Sequence, residues 1–558
     1  MIKERLNHGQ LLLLTASLLF LFNMLTAKIV DTLQSFQPPA YDIATGSLQK
    51  LGHFMAQNWR TYTITLVGYL VIWGLLVTLA VTIMLLSWHQ LNRRYYIKAL
   101  KSSQIHLSVL LMLLLSVPLT QIGFKFPVAY YLTMPKTFID VIQNPIIWCL
   151  SVVSYLILLW LAFRLHLVAY FAITTAQGMK KNIKQSWQET RQQNRSVLYF
   201  GIKLLGCIAL VIIVLFLIQK GLDQFLVGER KRWIANALIA IGIGYFYIVT
   251  SQCYLFYTAL VKPETQSKST KSLLMGVSYL GILMIIGIFS SFLSGKFVRE
   301  PNKNTLVIAH KGIASEKQAP NTLATLTQVA QTKPDFVEID IQPTRDGVYV
   351  LSHDGDIKAT DGKSYKIDET SWQTLKTIRY RTKGQTLRVT SFNDYISRAN
   401  QLHQKLLVEL KISDTITTQA LLDFQNRYGQ ALKANHAQLQ SLNQNIIKRL
   451  SEHMDQPMGL LSPVVNSIDG AKFSRFYAIE YSNANANLAQ RVTQYHKALY
   501  VWTLNQKSDI ATAYALGVTG YITDYPKQTR ALLTQFNKQA RYADVIWQMV
   551  MLDRKSVV

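Results

Sequence analysis

Long apolar runs crowd the first 296 positions and then stop. Seven stretches stand out: Leu11–Thr26, Tyr62–Trp88, Ile105–Phe124, Ile146–Phe163, Val197–Ile218, Trp233–Leu260 and Leu273–Leu293. A helix needs about 20 apolar residues to cross a bilayer. Inside hydrocarbon the backbone must satisfy its own hydrogen bonds, so helices are the natural solution. The pattern predicts a multi-pass α-helical membrane domain over residues 1–296, with about seven helices. Lys3 and Arg5 ahead of the first run imitate a signal peptide. No small-residue cleavage site follows in KIVDTLQSF, however, and six more runs come after it, so the run is expected to stay as a helix. Arg164 and His166 close a long apolar stretch; they are expected to mark the end of a span and to reach the headgroups.

Charge orients these helices. The chain carries a net +27, of which +18 falls before residue 301, mostly in short loops. The segments on the Met1 side hold 14 Lys and Arg, the opposite side 9. Positive loops stay in the cytoplasm. With an odd number of spans, everything after Phe297 is then expected outside the cell membrane, beside lipid headgroups. No basic stripe with interleaved aromatics occurs, which argues against nucleic acid as a partner. Cys149, Cys207 and Cys253 all lie in apolar runs and match no zinc spacing, so they are expected to act as small apolar residues.

After Glu300 apolar strands alternate with amphipathic stretches. Thr305–Ala309, Phe336–Ile341, Val348–Ser352, Lys405–Lys411, Met458–Leu461, Phe476–Tyr481, Ala498–Leu504 and Gly520–Thr523 make eight candidate strands. Repeated βα units of that number predict an α/β TIM (β/α)8 barrel over residues 304–540, followed by a tail at 541–558. An open doubly wound sheet is the alternative, but no GxGxxG follows a strand.

Polar residues recur at strand ends, where such barrels keep their chemistry. Glu338 and Asp340 are two apart on one strand and so share a face. Glu409 brings a third carboxylate, with Lys411 on its own face. Converging carboxylates repel, and a divalent cation relieves them; oxygen-only ligands favour Mg²⁺ or Ca²⁺. His310 and His353 each end an apolar strand. Imidazole titrates near neutrality, so two such groups can divide acid and base roles across a phosphodiester. Trp502, Asn505 and Asp524 also fall at strand ends.

The ordered motifs resemble those of the glycerophosphodiester phosphodiesterase family. That family opens with His-Arg-Gly, Pro-Glu-Asn-Thr, Glu-x-Asp, Thr-x-Asp-Gly and His-Asp. Here stand His310-Lys311-Gly312, Pro320-Asn321-Thr322, Glu338-Ile339-Asp340, Thr344-Arg345-Asp346-Gly347 and His353-Asp354. Glu409-Leu410-Lys411, Trp502-Thr503-Leu504-Asn505 and the run from Gly517 to Pro526 complete the likeness across the second half. The helical half looks like the membrane domain fused to this enzyme in Gram-positive bacteria. The resemblance implies a TIM barrel that hydrolyses glycerophosphodiesters to glycerol 3-phosphate and an alcohol. His310 and His353 would be the acid/base pair, and Glu338, Asp340 and Glu409 the metal ligands. Lys311 and Lys411 would lie at the phosphate and Trp502 against the glycerol. Two departures bear on activity: Lys311 replaces an Arg, losing the planar fork but not the charge, and the Glu before Asn321 is missing, with Glu316 nearby but out of register. A lipid- or teichoic-acid-directed enzyme of the same chemistry, or a catalytically decayed, membrane-anchored binding protein, are the competing expectations.

Overall fold

The computed structural model describes residues 8–34, 59–87, 93–119, 145–259 except 176 and 227, and 298–543 except 300, 301, 303, 413–415, 463–471, 482, 483, 485 and 539–541. These residues form two compact units. One takes in almost all of the helices before Phe297 together with Tyr542 and Ala543; the other is an α/β unit from Val298 to Lys538.

The helical unit contains α1 (His8–Gln34), α2 (Trp59–Ser87), α3 (Arg93–Leu100), α4 (Ser103–Leu119), α5 (Pro145–Leu165), α6 (Leu167–Thr174), α7 (Met179–Thr190), α8 (Asn194–Phe225) and α9 (Gly228–Ala259). The described parts of six of the seven apolar runs lie on these helices; Leu273–Leu293 lies outside the described residues. Among the described residues three segments are long and apolar enough to cross a membrane: Tyr62–Leu86, Cys149–Thr174 and Val197–Phe225. Their surfaces stay apolar where they are exposed, as at Leu66, Leu70, Leu156, Leu210 and Leu217, which suits lipid rather than water.

Arg164 and His166 correct one expectation. They do not reach outward: both are buried in protein. The Arg164 guanidinium sits between the Trp160 and Trp187 rings, 5.1 and 5.4 Å from their centroids, and donates to Thr190 Oγ1 at 3.2 Å. The amphipathic α7 brings Trp187 and Thr190 to it, held by Ser186 Oγ donating to the Arg164 carbonyl. At the far end of α8, Asp223 accepts from Gln219 Nε2 and from the Ala543 amide, and the Lys231 ammonium lies 3.6 Å away.

The α/β unit is a closed barrel. Eight parallel strands run in ring order β1 (Leu306–Ala309), β2 (Phe336–Pro343), β8 (Leu406–Leu410), β9 (Gln438–Ser441), β10 (Met458–Ser462), β11 (Phe476–Glu480), β12 (Ala498–Trp502) and β13 (Gly520–Thr523), with β13 pairing back to β1. The expected barrel is therefore present, but its strand roster differs at two places. Val348–Ser352 is not a barrel stave: its core, β3 (Tyr349–Leu351), runs antiparallel on the end of β2. The stave missing from the sequence reading is β9, whose inward residues are polar. An excursion after β3 adds two hairpins, β4 (Asp356–Lys358) with β5 (Ser364–Lys366), and β6 (Arg379–Thr382) with β7 (Gln385–Arg388).

Alternation divides the apolar residues between two cores. Val337, Ile339, Leu406, Val408 and Leu439 face the surrounding helices. Ile308, Phe336, Leu407, Phe476, Tyr500 and Ile522 fill the barrel interior. There Phe476 and Tyr500 stack with centroids 4.4 Å apart. In register beside them stand Gly459 and Gly520, where a Cβ would strike the Phe476 and Tyr500 rings. The rings cannot retreat because each is stacked on the other. Gly520→Ala is therefore expected to destabilise the barrel by about 1–3 kcal/mol, the usual cost of overpacking. A thermal melt of the purified variant reads this directly, and an unchanged midpoint would show that the rings have room to move.

Candidate active site

Three carboxylates meet inside the upper barrel. Glu338 and Asp340 project inward from β2, and register places Asp340 beside Glu409 of β8. All three are buried, and a ligand oxygen from each lies within 4.8 Å of the others. Burial first, then the charges of Asp340 and Glu409, pushes the Glu338 carboxyl well above its ordinary range. Burial and Asp340 likewise raise Glu409 to about 7. Asp340 alone is held low: burial opposes its charge, but Lys411, His353, Lys311 and the Asn321 amide outweigh it.

Neighbouring groups fix this arrangement. Lys311 and Gly312 follow β1 with φ of 50° and 65°. That turn aims the Lys311 amide at Glu338 Oε2, 2.7 Å away. A side chain at position 312 would also meet the Tyr395 hydroxyl, at 2.7 Å. Asn321, with φ of 56°, clasps Asp340 at two points: its amide donates to Oδ2 at 2.8 Å, and its carbonyl oxygen accepts the Asp340 backbone N–H at 3.1 Å. The Lys411 ammonium lies 3.0 Å from Glu409 Oε1 and 3.4 Å from Asp340 Oδ1. Burial works against that charge, yet Glu409 and Asp340 more than offset it and keep Lys411 above its ordinary value.

The residues fit a divalent cation. Asp340 Oδ1 and Glu409 Oε1 are buried, and apart from the Lys411 ion pairs neither has a well-directed hydrogen bond. Buried anionic oxygens need such compensation, and an all-oxygen set suits Mg²⁺ or Ca²⁺.

The histidines flank this cluster differently. His310 Nδ1 donates to Asp524 Oδ1 at 2.8 Å, bridging β1 to the end of β13. Asp524 is held below its ordinary range: burial is outweighed by His310 and by the Asn505 amide. An ionised Asp524 can only accept, so the proton sits on His310 Nδ1 and Nε2 is left for chemistry. Asn505 donates to Asp524 Oδ2 at 2.5 Å and lies 3.5 Å from Glu316 Oε1. His353 is half exposed and donates from Nδ1 to its neighbour Asp354 at 2.8 Å. Burial lowers its pKa; Asp340 opposes this, while Lys411 and Lys311 reinforce it. Trp502 ends β12 at the rim of the interior core, its buried indole N–H without a hydrogen-bond partner among the described residues.

Of the eight residues singled out by sequence, Glu338, Asp340 and Glu409 form the cluster, Lys311, Lys411 and His353 act on it through contact or charge, His310 pairs with Asp524 at the end of β1, and Trp502 stands at the same barrel's rim. Sequence reasoning gave no role to Asn321, Asp524 or Asn505. Their signal was present in Pro320-Asn321-Thr322 and in the motif ending at Pro526. What each does depends on which strands become neighbours.

Fold and site together define a membrane-attached hydrolase built on a (β/α)8 barrel. Residues 310–528 match the Glycerophosphoryl diester phosphodiesterase family, and residues 88–235 match the Membrane domain of glycerophosphoryl diester phosphodiesterase. The barrel is thus a domain of the glycerophosphodiester phosphodiesterase family, carried on the same polypeptide as a membrane domain of that kind. A glycerophosphodiester phosphodiesterase of Bacillus subtilis strain 168 is 24% identical over 253 residues, spanning 40% of this chain and 84% of the relative. Lysophospholipase D GDPD1 of Mus musculus is 21% identical over 278 residues, 41% of this chain and 86% of its own length. An Oleispira antarctica phosphodiesterase, solved with the product sn-glycerol-3-phosphate, aligns with 41% of this chain and 96% of its own, at 21% identity and a TM-score of 0.37.

Proposed function

We propose that the barrel hydrolyses glycerophosphodiesters to glycerol 3-phosphate and an alcohol, using a divalent cation held by Glu338, Asp340 and Glu409. The observation that carries this reading is the buried cluster of three carboxylates, whose Asp340 Oδ1 and Glu409 Oε1 are answered among the described residues by the Lys411 ammonium alone, in a barrel of this family. When bound, the cation polarises a phosphoryl oxygen and offsets charge that develops on it. Lys411 and Lys311 add positive charge where the phosphate enters. His310, oriented by Asp524, and His353 divide proton removal from the attacking hydroxyl or water and proton delivery to the leaving alcohol. Trp502 offers an apolar wall with one N–H donor, suited to a glycerol moiety.

The test is release of glycerol 3-phosphate by purified full-length protein with Mg²⁺ or Ca²⁺. Soluble diesters, lysophospholipids and glycerophosphate polymers are supplied in parallel. Turnover of at least one class is expected, and the preferred class names the leaving group. No turnover on any of them would hand the chain to the binding-protein alternative.

The cell-surface placement is part of the same proposal. Seven apolar runs and the Lys/Arg bias support a cytoplasmic N-terminus and an outward barrel. Protease added to intact protoplasts is expected to remove residues after Phe297. Cleavage only after lysis would place the barrel in the cytoplasm.

A further inference from the structure

The excursion between β3 and Ser391 carries charges that the catalytic geometry does not use. Its two hairpins are joined by an antiparallel bridge between Ala359 and Tyr380 and by the Thr360 amide donating to the Arg379 carbonyl at 2.8 Å. Ile357, Ala359, Tyr365 and Tyr380 share its inner face, packed on a small core with Val350, Ile367, Leu375 and Val389. Alternation sends Lys358, Arg379, Arg381 and Arg388 to the other face, where all four are exposed.

Folding alone gives no reason for this grouping. Arg379 stands directly opposite Arg388 in the β6–β7 register, and the Ala359–Tyr380 bridge sets Lys358 beside Arg381. Like charges directly opposite one another destabilise a hairpin. Nearby acidic groups are engaged elsewhere: Glu369 pairs with Lys366 at 2.8 Å, Asp356 accepts from Ser364 at 2.6 Å, and Asp361 accepts the Lys363 amide at 3.0 Å. Among the described residues no carboxylate forms an ion pair with Arg379, Arg381 or Arg388. Three guanidiniums and an ammonium therefore share one solvent-facing surface that stays net positive, with Asp356 the one carboxylate on the hairpin strands.

We propose that this face docks the barrel on an anionic lipid surface, with headgroup phosphates as the missing counter-charges. Arginine's planar fork suits phosphate oxygens. The barrel shares its chain with membrane-crossing helices, so a lipid surface is present at high effective concentration. Basic residues near an anionic bilayer each strengthen attachment about five-fold. The excursion leaves the barrel directly after His353 and Asp354, so docking would hold the mouth of the site close to the headgroup layer. The inference is independent of which diester is cleaved.

Hydrogen exchange of the full-length protein in nanodiscs tests it. Amides of residues 379–388 are expected to exchange several-fold more slowly in phosphatidylglycerol-containing discs than in phosphatidylcholine discs. The difference should vanish in about 1 M salt, where screening reaches ~3 Å. It should also vanish in the triple variant R379Q/R381Q/R388Q, whose melting temperature should be no lower than the parent's and whose turnover of a soluble diester should match it. Equal exchange in both kinds of disc would overturn the proposal. Protection by a soluble glycerophosphate polymer, with none from anionic discs, would overturn it in favour of a polymer-binding face. The exchange readout needs no turnover, so it stands or falls apart from the catalytic reading.

Discussion

Replacing His310 or His353 by Ala is expected to lower kcat for glycerophosphodiester hydrolysis by about 10²–10⁴-fold, the range typical of a lost general acid or base. Neither change should unfold the barrel. His353 is half exposed and its imidazole is hydrogen-bonded to its sequence neighbour, and His310 reaches a carboxylate that Asn505 also holds. Melting temperatures close to the parent's are therefore the companion expectation. Asp524→Asn separates orientation from chemistry. It keeps the side-chain shape but offers His310 Nδ1 an amide that can present a donor instead of an acceptor, which favours the wrong tautomer. Its kcat should fall with KM nearly unchanged, and its pH–rate profile should shift. If all three variants retain full turnover, the acid/base assignment is wrong.

Removing the cation, or the cluster that holds it, should have an equally large effect. Glu338→Ala and excess chelator are each expected to abolish hydrolysis, with Mg²⁺ or Ca²⁺ restoring the chelated protein. Titration couples to this. Without a cation Glu409 titrates near 7 and Glu338 is also raised, so the folded cluster binds protons that an unfolded chain has released. A carboxylate raised in the folded state costs stability as pH climbs from its unfolded value near 4.5 through its folded value. The cation-free barrel should thus melt at lower temperature at pH 8 than at pH 5, and added cation should recover the loss at pH 8. Cation binding near neutral pH should expel protons, seen as a buffer-dependent heat in calorimetry. Full activity of Glu338→Ala in excess chelator would sink the metal assignment.

Much of this was visible in the chain before any coordinates. Apolar runs of bilayer length announce themselves because every face of such a helix must be apolar. Glu338 and Asp340 were legible as a pair because strand geometry puts i and i+2 on one face. The stave β9 was not legible. Its register aligns Gln438 with Leu407 and Gln440 with Glu409, so its interior positions are polar, and Leu439 is the one apolar residue on the face toward the helices. A strand with one apolar residue leaves no run to detect. Conversely, Tyr349–Leu351 imitated a stave because both of its faces are buried, one in the main core and one in the excursion's. The His310–Asp524 bond spans 214 residues. It exists because β13 closes onto β1, and local pattern carries no trace of a ring's closure.

The contact at Asp223 limits how far the halves of this chain can be treated as interchangeable modules. The Ala543 amide that completes the Asp223 hydrogen bonding lies beyond the last barrel helix, yet it belongs to the helical unit. A gene cut just after the barrel would give a catalytic fragment with its staves intact. It would leave the helices with a buried carboxylate one donor short. Recombination between relatives would therefore have to carry the tail with the membrane half, although the chain places it after the enzyme.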